Sequence, residues 1–159
     1  MSRSGANLAL LLLGGFRNLA DRATAELATR GYEDVRTVHD FALTAILSGA
    51  DNVSELGRRL FITKQSAAKI VAVLEERGFV SREPDPVDRR RMRLLVTERG
   101  LAMRSEGQQI FDDMREQWEE QVGAEALNAV EDALRELLGD TAGRLDSPGW
   151  LMRDLPADS

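Results

Sequence analysis

The chain of 159 residues is 43% hydrophobic and 30% charged, proportions of a soluble globular protein rather than a disordered or membrane-embedded one. It has no cysteine, which excludes a disulfide framework, a thiolate zinc site and a thiol redox sensor, and its single histidine argues against a histidine-rich metal site. The net charge of −6 hides a reversal: residues 58–93 carry a net +5, between a net −2 over residues 1–57 and a net −9 over residues 98–159. A polyanion responds to the local field, so the basic middle is the candidate binding surface and the acidic end is expected to face elsewhere.

Residues 7–30 read as a long helix with the apolar stripe Leu8, Leu12, Phe16, Leu19, Ala23 and Leu27, ended near Gly31. The run Leu8 to Leu13 is far short of the roughly 20 residues of a membrane span. The same spacing continues beyond it, which favours an amphipathic helix over a signal-peptide core. Thr37 with Asp40 predicts a capped second helix, with Val38, Phe41, Ala42, Ala45 and Ile46 on its apolar face and Gly49 at its end. Asn52 with Glu55 predicts a short helix over 53–60. Thr63 predicts the cap of another over 64–77, with Ala67, Ile70, Val71 and Leu74 inward and Gly78 as the stop.

After Gly78 the period changes. Residues 79–82 and 92–96 read as short strands, and the charged, two-proline segment 83–91 as the loop of a hairpin. Thr97 predicts the cap of a long helix to about Gln121, with Leu101, Ile110, Phe111, Met114, Trp118 and Val122 on one side. Gly123 separates it from a last helix over 124–138 bearing Leu127, Val130, Leu134, Leu137 and Leu138. Residues 141–159 read as a tail. Its small apolar cluster, Trp150, Leu151, Met152 and Leu155, either docks on another surface or stays disordered.

Two helices joined by Phe61 and Ile62 have helix-turn-helix spacing. The second can enter a major groove with its first turns, where Lys64, Gln65, Ser66, Ala68 and Lys69 lie. Lysine reaches guanine acceptors, glutamine pairs with adenine, and the N–H groups near Thr63 suit a phosphate. Arg89, Arg90 and Arg91 lie in the proline-stiffened loop, and arginine suits a narrow minor groove. Asp88 reads either as the carboxylate that orients a neighbouring guanidinium or as a turn former. Each part alone also reads as an ordinary solvated helix or loop. Their order, together with the charge reversal, favours nucleic acid.

The segment Asp88-Arg89-Arg90-Arg91-Met92-Arg93-Leu94-Leu95-Val96-Thr97-Glu98-Arg99-Gly100 resembles the wing signature of the MarR family of bacterial regulators. Leu74-Glu75-Glu76-Arg77-Gly78-Phe79-Val80 is similar to the exit of that family's recognition helix, a pattern shared by many winged helices. The resemblance covers roughly residues 36–140. It implies a mainly α fold with a small β-hairpin wing (α+β), a winged helix-turn-helix domain plus a helical dimerisation region. The expected division is a dimerisation helix over 1–36, the DNA-binding domain over 37–97, C-terminal dimerisation helices over 98–140 and the tail.

The resemblance also implies a cytoplasmic homodimeric regulator on a palindromic double-stranded operator, with Arg90 in the minor groove and Asp88 as its partner. Thr63, Lys64, Gln65, Ser66 and Lys69 take the reading positions. Gln65, Ala68 and Lys69 depart from residues frequent in the family, which bears on the operator sequence. The apolar stripes of the first and last helices exceed what a small winged-helix core consumes, and a second copy is the simple cover. The family further implies a small aromatic or anionic effector and release of DNA. Arg17, His39 and Trp118 are candidate linings, although solvated, structural and core roles respectively suit them better, and no ligand site is assigned. No cofactor or metal is expected. A winged-helix interaction module without DNA binding is the alternative reading. An enzyme is disfavoured, because the carboxylates are scattered and there is no phosphate loop or nucleophile motif.

Overall fold

The computed structural model describes residues 3–139; the tail and its apolar cluster lie outside them. In chain order the elements are α1 (Gly5–Thr29), α2 (Thr37–Leu47), α3 (Val53–Leu60), α4 (Lys64–Glu76), β1 (Val80–Pro84), β2 (Met92–Val96), α5 (Glu98–Val122) and α6 (Ala124–Leu138).

Local chemistry accounts for most boundaries. The side chains of Asn52, Thr63 and Thr97 accept from the N–H groups of Glu55, Ser66 and Gly100, each satisfying a donor the helix leaves open. The start of α2 differs from expectation. Thr37 is its first helical residue, and the cap is Arg36, whose N–H donates to Nδ1 of His39 at 3.0 Å. His39 is buried there, and burial, with Arg77 next, pushes its pKa down to about 4, so the ring stays a neutral acceptor.

The strands pair antiparallel from Val80 opposite Val96 to Pro84 opposite Met92. Phe79 is thus outside β1 and Pro84 inside it, a shift from the sequence expectation. Thr97 N–H donates to the Phe79 carbonyl and Asp85 N–H to that of Arg91, so the odd positions of β1 face β2. Pro84 occupies an alternate position whose nitrogen faces away, where the missing donor costs no ladder bond. On the outer side of β2, Leu94 N–H donates to the Asp51 carbonyl at 2.7 Å, tying the hairpin to the α2–α3 turn.

One core joins the C-terminal half of α1, helices α2 to α4, the hairpin base and α5 as far as Met114. Leu43, Leu56, Leu60, Leu74, Phe79, Met103, Ile110 and Met114 are fully buried, each worth on the order of 2 kcal/mol of transfer free energy. Leu43 and Met103 were not among the apolar faces read from the sequence, and many residues of those stripes are exposed in the single chain. Leu8, Leu12, Leu101, Phe111, Val122, Val130 and Leu137 are exposed. The inner line of α5 runs through Met103, Gly107, Ile110 and Met114, while Trp118 reaches α1 at Gly15.

The junction of hairpin and α5 is close. Thr97 Oγ1 accepts from Gly100 and donates to the Gly78 carbonyl at 2.5 Å. A Cβ on Gly100 would lie 2.4 Å from the Phe79 carbonyl oxygen, so this position excludes every other residue type without movement. Gly78, at φ +75, makes the left-handed exit from α4 that feeds Phe79 into the core.

Candidate nucleic-acid interface

α3 and α4 pack as a helix-turn-helix pair through Leu56, Leu60, Ala67 and Val71, all buried. With one face of α4 held inward at Ala67, Ile70, Val71 and Leu74, the 3.6-residue period turns Lys64, Gln65, Ala68 and Lys69 outward, and all four are exposed. Thr63 is exposed as well. Ser66 is half-buried and pairs with it, the Thr63 hydroxyl donating to Ser66 Oγ at 2.9 Å. Two of the expected reading residues are therefore engaged in closing the first turn, which leaves Lys64, Gln65 and Lys69 as the outward chemistry. Small Ala68 lies exposed between them.

The hairpin tip is fixed by two carboxylates. Asp85 Oδ1 accepts from Val87 and Asp88 N–H at 2.8 and 3.2 Å, and these bonds hold its pKa below the usual carboxylate range. Asp88 Oδ1 accepts from the backbone N–H of Arg90 at 3.1 Å, while its Oδ2 lies 4.0 Å from Arg91 Nε. Asp88 therefore acts on Arg90 through the main chain, as a turn former, and not by gripping the Arg90 guanidinium. Arg89, Arg90 and Arg91 are all exposed, as is Val87 at the tip. Arg82 Nε donates to Glu75 Oε1 at 2.8 Å and braces the hairpin against α4.

Between α1, α2 and α5 lies a cavity of about 110 Å³ lined by Ala23, Leu27, Val35, Met103 and Phe111. At its polar edge Arg104 donates to Asp40 Oδ1 and Thr44 Oγ1, both at 2.9 Å. None of the three candidate lining residues borders it: Arg17 is exposed, His39 serves the α2 cap and Trp118 abuts Gly15. Sequence reading missed the cavity because its five apolar walls are ordinary core residue types brought together from two helices and the loop after α1. Among the described residues no group of three His, Asp or Glu side chains is placed to hold a metal ion, and no helix is long and apolar enough to cross a membrane.

A sequence model of the MarR family matches residues 41–91, which contain the helix-turn-helix pair and most of the hairpin. The HTH-type transcriptional regulator SarZ of Staphylococcus haemolyticus is 29% identical over 66 residues, 39% of this chain and 45% of that protein. The chain thus matches about half the length of this relative. Among solved structures, a MarR family protein from Bacillus stearothermophilus is 24% identical with a TM-score of 0.67, covering 89% of this chain and 99% of that one. The transcriptional regulator Tm0710 of Thermotoga maritima is 22% identical with a TM-score of 0.63, over 89% and 99% of the two chains. A variant of MepR from Staphylococcus aureus, solved bound to an oligodeoxyribonucleotide, is 18% identical with a TM-score of 0.60, over 84% and 97%.

Proposed function

We propose that the chain is a MarR family transcriptional regulator, and that it is a homodimeric, sequence-specific DNA-binding regulator of the cytoplasm. Two copies of α4 address half-sites of a palindrome roughly 34 Å apart. Lys64, Gln65 and Lys69 face base edges and phosphates, Thr63 and Ser66 hold the helix start, and Arg89 to Arg91 approach the minor groove with Arg90 leading. The observation that carries this reading is the exposed row Lys64, Gln65 and Lys69 on the outward face of a helix whose opposite face is locked into the core. MepR supports it as a protein of like fold solved with an oligodeoxyribonucleotide.

In this reading residues 37–97 form the DNA-binding domain, and 1–36 with 98–140 form the dimerisation region. The exposed Leu8, Leu11, Leu12, Val130 and Leu137 support that division, because a second copy removes them from water. The protein is a repressor, and a small aromatic or anionic effector releases it. The cavity beside Arg104 suits such a ligand. Binding there favours one spacing of the two winged domains and shifts the population from the DNA-competent form.

The test is selection of genomic fragments by the purified protein at two salt concentrations, followed by affinity measurement on the recovered site. One shared palindrome with affinity falling as salt rises is expected, together with strong weakening in a folded Arg90→Ala variant. If the folded dimer enriches no sequence at low salt, the winged helix serves protein interaction instead. If Arg90→Ala binds like wild type, the wing assignment is wrong.

A further inference from the structure

The corner between α3 and α4 holds an unusual residue. α3 closes with Ile62 N–H donating to the Gly57 carbonyl at 3.0 Å and Phe61 N–H to that of Arg58 at 3.3 Å. This closure puts Phe61 in the left-handed region, at φ 55 and ψ 39. Glycine adopts that conformation freely, whereas a residue with a Cβ is strained there. The corner is also tight, since a Cβ on Gly57 would lie 3.2 Å from the Ile62 carbonyl oxygen. Packing does not compensate, because Phe61 is 70% exposed. A bulky apolar ring is therefore held strained and facing solvent, two residues before the cap of α4. Strain that gains nothing from burial is a pointer to function.

Arg58, one turn earlier, lies beside this corner. Its side chain is 75% exposed and ion-paired with Glu55. Neighbouring Arg59 is differently employed, donating to the Ser48 carbonyl at 2.7 Å and to Glu55 at 3.3 Å. Of the two arginines, Arg58 is the one free to reach outward.

We propose that Phe61 and Arg58 form a second operator contact on the flank of the major groove, the ring against a deoxyribose and the guanidinium on the adjoining phosphate. This rests on the DNA-binding reading above. In helix-turn-helix docking the first helix crosses the backbone, which brings its C-terminal corner to the sugar-phosphate strand. The contact supplies affinity and orientation, not base preference. Glu55 competes with the phosphate for Arg58.

The experiment measures anisotropy of the selected operator over a salt series, with melting curves, for Phe61→Gly, Phe61→Asn, Arg58→Gln and the control Arg90→Ala. Phe61→Gly is expected to melt at or above wild type, since it relieves the left-handed strain. It should nevertheless bind about five- to tenfold weaker at an unchanged salt slope, the return from covering part of an aromatic ring. Phe61→Asn, which tolerates the same backbone, should repeat the loss. Arg58→Gln should reduce the salt slope by about 0.9, one phosphate contact. Wild-type affinity in both Phe61 variants overturns the proposal while a weakened Arg90→Ala keeps the DNA reading. If Arg90→Ala is also silent, or wild type binds no duplex, the DNA reading itself falls and this contact with it. Unchanged affinity with altered self-association in Phe61→Gly would overturn it in favour of a contact between copies.

Discussion

Gly100→Ala introduces a single methyl at the junction of the hairpin and α5. That carbon would stand 2.4 Å from the Phe79 carbonyl oxygen and 2.8 Å from Val96 Cγ1. Ordinary contact needs about 3.4 Å or more, so the backbones must part by about 1 Å. Two short bonds span this gap, Thr97 N–H to Phe79 O at 3.0 Å and Thr97 Oγ1 to Gly78 O at 2.5 Å. Weakening both costs about 1 kcal/mol each, and the overpacking itself about 1 to 3 kcal/mol. A loss of about 3 kcal/mol corresponds to a melting temperature lower by about 6–12 °C for a chain of this size. Gly107→Ala in the same helix is the contrast. Its nearest neighbour is Leu27 Cδ1 at 3.9 Å, an ordinary contact, so the helix gain of about 0.5–1 kcal/mol dominates. Thermal and urea unfolding followed by circular dichroism read both. A Gly100→Ala protein melting within about 1 °C of wild type would refute the close-approach argument.

Two further outcomes follow from local chemistry. Folding holds His39 near 4 against about 6.5 when unfolded, so the unfolded chain takes up the proton first as pH falls. The stability this group contributes is complete above pH about 6.5 and is lost on the way down to about 4, by on the order of 3 kcal/mol. His39→Gln should remove that slope from urea midpoints measured across the window, and an unchanged slope would assign it to other groups. Thr63→Ala deletes the acceptor of the Ser66 N–H and should cost about 1 kcal/mol in urea unfolding. Thr63→Ser should recover most of it, and equal midpoints for the two variants would contradict the cap.

Elements were legible in the sequence where a short-range signal sufficed. Asn52, Thr63 and Thr97 are acceptors three residues before an open N–H, and no tertiary information is needed to place them. His39 was read as structural, but its bond to the Arg36 N–H was not legible, because a histidine at the third helical position is not among the short-range capping signals a chain displays. Pro84 looked like a strand stop, yet its position in the pairing alternation makes its missing donor harmless. The inner face of α5 was obscured by Gly107, which contributes no hydrophobicity to a periodic pattern but lies on the packed line with Met103 and Ile110. At the site, the outward residues of α4 followed from helical period alone. The choice between the two readings of Asp88 did not, nor did the left-handed backbone of Phe61, since both depend on loop dihedral angles that side-chain type leaves open.

Thr97 ends the hairpin and begins α5, and its hydroxyl and N–H are fastened to the residues that follow α4. The hairpin is thereby a lever with its fulcrum at the first turn of a 25-residue helix. Its five-residue strand carries the arm about 16 Å outward, so a tilt of about 5° at the fulcrum displaces the far end by about 1.4 Å. A displacement of that size exceeds the roughly 0.5 Å tolerance of a positioned contact. Rotations of α5 therefore reach the arginines of the tip as a tilt of the whole helix-turn-helix and hairpin unit, because Leu94 N–H to Asp51 O and Arg82 to Glu75 tie the strands to the α2–α3 turn and α4.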